Sequence, residues 1–339
     1  MAGETVLVSG GSGFIGGWCI IALLNQGYTV RTTIRSLSRE ADVRARLATQ
    51  APTDKLSFYA ADLTSDAGWD EASAGCDYVL HVASPLGVDN PKDANELIVP
   101  ARDGALRAVK AAVKAGAKRV VMTSSVASCY PPHSNKAWSS DETVWTNPQE
   151  KGVGAYPQSK VIAEKAATDF IAQHGGTTTL AVVNPALVLG PILTKDNLGS
   201  VQVIQRLLNG SMPGAPRLGF NIVDVRDVAD LHLRAMLAPE AAGQRFIAAG
   251  QYMWMADLAR VLRDKLGAKA AKAPTRILPD FVLRLIALFD PALKSVSGNL
   301  GLKHEFSSAK AQKMLGWTPR PVDTTIVECA ESLIAKGAV

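Results

Sequence analysis

Seven short β-rich runs, separated by longer helical patterns, set the strongest limit on how this chain can fold. The runs are TVLVS (5–9), TVRTTIR (29–35), KLSFYAA (55–61), DYVLHVA (77–83), KRVVMTS (118–124), TTLAVVN (178–184) and QRFIAAG (244–250). Between them lie FIGGWCIIALLNQG, ANELIVPARDGALRAVKAAVKAG and YPQSKVIAEKAATDFIAQHGG, among others. Several end in glycine, which suits a left-handed helix cap. No tight hairpin turn joins the runs. Strands linked through helices pair in parallel, because a parallel pair needs a long crossover. The expected class is α/β, with a doubly wound parallel sheet. After residue 185 the pattern loosens, with Gly/Pro punctuation around one helix and a further helical reading for IVDVRDVADLHLRAML.

A chain of 339 residues, 47% hydrophobic and 20% charged, can bury a sizeable core. The net charge of +5 comes from scattered residues with no run of five or six. That favours anionic small ligands over nucleic acid. Cys19, Cys76, Cys129 and Cys329 form no CxxC pair and no zinc-finger spacing, so buried, reduced thiols and no metal are expected. The start MAGETVLVSGG carries no basic, apolar leader pattern. The longest apolar stretch, LAVVNPALVLGPIL, is broken by Asn184, two prolines and Gly190. A soluble, cytoplasmic protein without a membrane partner is expected.

VLVSGGSGFIGGWCI sets Gly10, Gly13 and Gly16 directly after the first strand, with Phe14 and Ile15 opening a helix. Glycines there allow a tight turn, close approach to a pyrophosphate and helix–strand packing, and the helix N-terminus offers N–H groups to phosphate. The fold expectation sharpens to a Rossmann-type sheet with a smaller, mostly helical C-terminal substrate lobe. Residues 1–185 plus 219–250 would form the cofactor domain, and 186–218 plus 251–339 the lobe. Where NAD sites carry an acid after the second strand, this chain has Arg35, Ser36 and Arg39. A guanidinium suits a 2′-phosphate, so NADP is expected over NAD. Asp62 and Leu63 end the third strand, and Asp62 could accept from the adenine amino group. Ala83 and Ser84 end the fourth, small residues where backbone passes a dinucleotide.

Tyr156 and Lys160 lie four apart at a helix start, one turn from each other on one face. A plain helix start, with Pro157 in its first turn, fits the same letters. The blocks VSGGSGFIG, TTIRS, HVASP, KRVVMTSSVAS, AYPQSK, VNPALVLGP, DVRDVADLHLRAM and FSSAKAQKMLGWTPRPVDTTI resemble, over nearly the whole chain, the extended short-chain dehydrogenase/reductases. The closest look is to the branch of dihydroflavonol 4-reductases, cinnamoyl-CoA reductases and aldehyde (methylglyoxal) reductases. The resemblance implies NADP(H)-dependent hydride transfer to or from a carbonyl or alcohol. It implies that Ser125 takes the catalytic serine position, holding the substrate oxygen. Tyr156 takes the position of the proton donor, Lys160 that of the lysine whose charge favours the phenolate and which binds the nicotinamide ribose. Pro185 looks like the residue lining the nicotinamide pocket. The chain departs from many relatives in lacking an Asn in VPARDGAL, where a proton-relay Asn stands. VASCYPPHSNKAW does not reproduce the recognition pattern of plant dihydroflavonol reductases, which argues against a flavonoid substrate.

The long loop after Ser125 carries Tyr130, His133, Trp138 and Trp145, which suit an apolar or aromatic substrate or else anchor the loop. Pro85, Ala127, Tyr130, Leu187 and Val188 are the substrate-pocket candidates. His81, His174, His232 and His304 read as structural, and RILPDFVLRLIALFDPAL (276–293) as an apolar helix in the core of the lobe. The expected activity is NADPH-dependent reduction of aldehydes or ketones by a monomer or homodimer. A nucleotide-sugar epimerase, dehydratase or hydroxysteroid-type dehydrogenase of the same family is the alternative, and the sugar enzymes usually keep the acid missing after strand two. A non-enzymatic NADP-sensing regulator usually loses the tyrosine, which is intact here. Arg35→Asp should raise the KM for NADPH far more than that for NADH, and equal changes in steady-state assays would remove the NADP assignment.

Overall fold

The computed structural model describes residues 3–85, 91, 93–134, 136–196, 198–286 and 297–339. The first half runs β1 (Thr5–Ser9), α1 (Phe14–Asn25), β2 (Thr29–Ile34), α2 (Glu40–Ala48), β3 (Leu56–Ala60), α3 (Trp69–Ser73), β4 (Tyr78–His81), α4 (Asn95–Lys114) and β5 (Arg119–Thr123). Then come β6 (Trp138–Ser140), α5 (Ala155–His174), β7 (Thr179–Pro185), β8 (Leu187–Leu189), α6 (Gln202–Asn209), β9 (Gly219–Asp224), α7 (Val225–Leu237) and β10 (Arg245–Ala248). The chain closes with β11 (Tyr252–Trp254), α8 (Met255–Leu266), α9 (Asp280–Ile286), β12 (His304–Phe306), α10 (Ala309–Leu315) and α11 (Val322–Ala335).

The central sheet has seven strands in the order β10-β7-β5-β4-β1-β2-β3, all parallel. The seven runs read from the sequence are these seven strands. The inner strands β1, β4, β5 and β7 are largely buried and apolar, whereas β2 carries threonines and Arg31 and the edge strand β3 is part-exposed. In β1, Val6 and Val8 point to the layer of α1 and α7, whereas Leu7 points to that of α4 and α5, as a period of two requires. On that side α4 and α5 themselves present mostly alanines, among them Ala101, Ala105, Ala163 and Ala167. Their small side chains let two long helices lie close to the sheet and to each other. Gly27, Gly116 and Gly176, just past α1, α4 and α5, take positive φ, as the sequence pattern suggested.

Five short strands escaped the sequence reading. β8, β9 and β11 form a small second sheet, in which β9 pairs parallel with β8 and antiparallel with β11. β6 pairs with β12. The helical reading of IVDVRDVADLHLRAML is corrected at its start. Ile222–Asp224 are strand, and α7 begins only at Val225, where the Asp224 carboxylate caps the helix by accepting from the Arg226 N–H at 2.8 Å. A second apolar core lies beyond the small sheet, built from Ile204, Leu207, Leu258, Leu262, Ile326 and Leu333. The segment 276–293 is helical from Asp280, and residues 287–293 lie outside the described residues. Leu283 is buried there, but Phe281 is 72% and Leu285 61% exposed, so the described part of this amphipathic helix buries one face only and is not wholly core of the lobe. No helix among the described residues is long and apolar enough to cross a membrane.

The closing segment is tied back by Trp317, which has no exposed surface, joins the core of α1 and α7, and donates its indole N–H to the Asp227 carbonyl at 2.9 Å. Arg320 reinforces the join through both Asp227 carboxylate oxygens. Trp317→Ala removes a large buried ring and leaves a cavity, so it should cost about 3–5 kcal/mol. A urea titration should show the midpoint falling with the slope unchanged; an unmoved midpoint would contradict this packing role.

Candidate active site

The carboxyl ends of β1 to β5 and β7 meet where the sheet reverses its winding, between β1 and β4. In such sheets the loops on either side of the reversal diverge and leave a crevice. The loop after β1 borders it with bare backbone. Gly10 has φ of 75°, and a Cβ there would lie 3.0 Å from the Ala83 Cα. A Cβ at Gly16 would collide with the Gly10 carbonyl oxygen. Gly13 caps α1 without any side-chain hydrogen bond, so the first-turn N–H groups of the helix have no capping side chain. Phe14 and Ile15 are half-buried in that first turn and pack on the core.

Ser9, a residue the sequence reading passed over, fixes the facing loop. Its hydroxyl oxygen accepts from the Val82 and Ala83 N–H groups at 3.0 Å each. It therefore donates to His81 Nδ1, also at 3.0 Å, so that Nε2 carries the ring proton. Burial pushes the His81 pKa down to about 4, and the Lys160 charge acts the same way. His232 is equally buried, between the Thr123 hydroxyl (2.7 Å) and the Val228 carbonyl (2.7 Å), and burial lowers it to about 4. These are the structural histidines expected.

Arg35, Ser36 and Arg39 are exposed together after β2. Arg39 pairs with Asp42 at 3.5 Å, and the Ser36 hydroxyl accepts from the Ser38 N–H. The Asp62 carboxyl is held below its ordinary range chiefly by the hydroxyl and N–H of Thr64, with Arg35 contributing. One carboxylate oxygen of Asp62 is thus engaged in its own turn. Leu63 packs against Gly104 of α4.

Ser125 follows β5 and opens a short 3-10 turn, Val126–Ser128. Its Oγ accepts from the Ala127 N–H at 3.1 Å, which leaves the hydroxyl proton to donate elsewhere. α5 begins at Ala155 with Gly154 as its cap, and Pro157 sits in the first turn, where a missing N–H costs nothing. Tyr156 is 41% exposed, while Lys160 one turn on is buried. The Lys160 ammonium lies 5.5 Å from the Tyr156 ring centre and donates to the Ser84 hydroxyl at 2.9 Å. Lys160 therefore links α5 to the loop that borders the glycine turn.

Among the pocket candidates, Pro85 and Leu187 are half-buried, Ala127 and Val188 buried, and Val188 packs into the core of the central sheet. Pro185 ends β7, buried beside Ala248. Tyr130 packs on Phe306 and near Trp138, and burial, with Tyr156 nearby, pushes its phenol up to about 12. Trp138 stacks on His304 at 4.3 Å, and the Arg245 guanidinium lies 3.5 Å over Trp145. Both tryptophans thus anchor the loop. His133 is exposed.

A glycine turn, a serine after the fifth strand and a tyrosine–lysine helix around one crevice define a dinucleotide-dependent oxidoreductase class of fold. Known proteins agree. The model of the NAD dependent epimerase/dehydratase family matches residues 6–249. Cinnamoyl-CoA reductase 1 of Petunia hybrida is 31% identical over 99% of this chain and 94% of its own length. Dihydroflavonol 4-reductase of Zea mays is 32% identical over 77% of this chain and 74% of its own. The crystal structure of yeast methylglyoxal/isovaleraldehyde reductase Gre2 with NADPH is similar with a TM-score of 0.81 at 25% identity, covering 99% of this chain and 100% of that one. The chain belongs to the NAD dependent epimerase/dehydratase family, the extended short-chain dehydrogenase/reductases.

Two histidines buried neutral link folding to pH. Between about pH 6.5 and 4 the unfolded chain binds their protons and the folded chain does not, so stability falls as pH falls, by about 1.4 kcal/mol per unit for each. Urea midpoints should drop over this window, and His232→Gln should flatten the slope. A midpoint independent of pH would contradict neutral burial.

Proposed function

We propose that the protein is an NADPH-dependent reductase of aldehydes and ketones, running the reverse alcohol oxidation at the same site. The observation that carries this is the Lys160–Ser84 bond, which sets the Tyr156 helix directly beside the glycine turn. The residues fit the dinucleotide. The turn at Gly10 and Gly16 leaves no room for a Cβ, and the uncapped α1 N-terminus suits a pyrophosphate. Gly13, Phe14 and Ile15 would border it, Arg35, Ser36 and Arg39 would hold the 2′-phosphate, and Asp62 and Leu63 would flank the adenine. Ala83, Ser84, Lys160 and Pro185 would face the nicotinamide end. When bound, NADPH supplies the hydride that reduces the carbonyl carbon.

Ser125 donates a hydrogen bond from its hydroxyl to the carbonyl oxygen and stabilises the charge that grows there. Tyr156, open to the crevice, delivers the proton that completes the alcohol. The Lys160 ammonium stands 5.5 Å from the Tyr156 ring centre, on the same helix face. The crevice rim takes an apolar carbonyl compound, with Pro85, Ala127, Tyr130, Leu187 and Val188 near its wall.

Residues 1–185 plus 219–250 form the cofactor domain in this reading, and 186–218 plus 251–339 the substrate lobe. The protein works as a monomer or homodimer without nucleic acid. Four unpaired, buried cysteines suit the reducing cytoplasm. NADPH oxidation across an aldehyde and ketone panel tests the reading, with consumption expected only alongside reducible carbonyls. Tyr156→Phe should lower turnover by orders of magnitude while NADPH still binds; near-normal turnover would end the proposal.

A further inference from the structure

Glu164 stands one turn beyond Lys160 and two beyond Tyr156 on α5. Its side chain has no exposed surface. Every neighbour of its carboxylate is a donor. The Arg245 Nε–H reaches Oε1 at 2.5 Å. The Ser124 hydroxyl (2.5 Å), the Ser128 hydroxyl (2.7 Å) and the Asn184 amide (3.1 Å) reach Oε2. Arg245 is held in turn by the Glu142 and Val144 carbonyls at 2.8 and 3.0 Å and by the face of Trp145.

The donors on Oε2 surround Ser125. Ser124 precedes it, and Ser128 ends the turn that Ser125 opens. The Asn184 amide also reaches the Ser125 carbonyl, at 3.2 Å. One carboxylate therefore joins the helix of Tyr156 and Lys160 to the backbone on both sides of Ser125. The geometry points to Glu164, with Arg245 as its counter-ion, as the positioning residue that sets the Tyr156–Lys160 helix in register with the Ser125 hydroxyl. The kinetic side of this inference rests on the reductase reading above. Glu164 touches no reacting group and transfers no proton.

Glu164→Gln tests it, because the size is kept while an amide NH2 must face donors on one side. Neither Arg245 nor the Asn184 NH2 can turn acceptor. At saturating NADPH and carbonyl, kcat should fall about tenfold or more, as small misplacements of catalytic groups do. The Kd for NADPH, read by fluorescence, should stay unchanged. Amide hydrogen exchange should quicken in 124–129 and not in 10–17. Ser128→Ala removes one donor to Oε2 together with an acceptor of Asn184 Nδ2 and Arg245 Nη2, but keeps the Glu164–Arg245 ion pair; it should show the same pattern more weakly, and it decides the matter should Glu164→Gln not fold. Wild-type kcat with wild-type exchange at 124–129 overturns the inference. So does exchange quickened equally in 10–17 with NADPH binding lost, the mark of a general loss of stability. A wild-type protein that reduces no carbonyl would sink the reductase reading, and the exchange pattern would still decide the register.

Discussion

The sheet changes its winding direction between β1 and β4, and the arrangement of the candidate site follows from that reversal. The chain leaves β1 toward the α1 layer and leaves β4 toward the α4 layer. The two loops part, as they do at such a reversal in open α/β sheets, where a crevice forms. At its floor the backbones at Gly10 and Ala83 approach so closely that only glycine serves. The Ser9 hydroxyl holds the second loop in place by accepting two of its N–H groups. Lys160 then bridges from α5 to that loop.

A different force sets the other wall. Burying a carboxylate is costly unless donors surround it, and losing one partner of a buried pair costs about 3–5 kcal/mol. Around Glu164 the donors come from the residue just past β5, the turn that follows, β7 and β10. An apolar cluster could hold these elements together equally well. It would not fix direction, because apolar contact is non-directional. Hydrogen bonds to a single carboxylate fix both distance and angle.

The central sheet was legible because each strand is a compact β-rich run set apart by helical patterns. The glycine turn was legible for a local reason as well, since its three glycines lie within seven residues, although the approach of Gly10 to Ala83 is made by the fold. The five short strands were not. Each owes its form to a partner far along the chain, as β6 does to β12, and four of the five have only three residues, too few to carry a period. Asp224 was read as helix because its neighbours on both sides are apolar, although it caps the helix that follows. Ser9 and His81 lay inside strands already explained by packing. Glu164 and Arg245 drew no reading, because they stand 81 residues apart and neither lies in a motif of its own. Only folding makes them a pair.

The pairing of β6 with β12 places His304–Phe306 beneath the loop that separates Ser125 from Tyr156. Tyr130 and Trp138 on that loop pack against Phe306, and Trp138 also stacks on His304. The loop and the late strand are therefore one module built from two distant pieces. A chimera that imports residues 129–154 from a relative alone would set foreign aromatics on a native strand. Exchange of specificity between relatives on this scaffold calls for both pieces to move together.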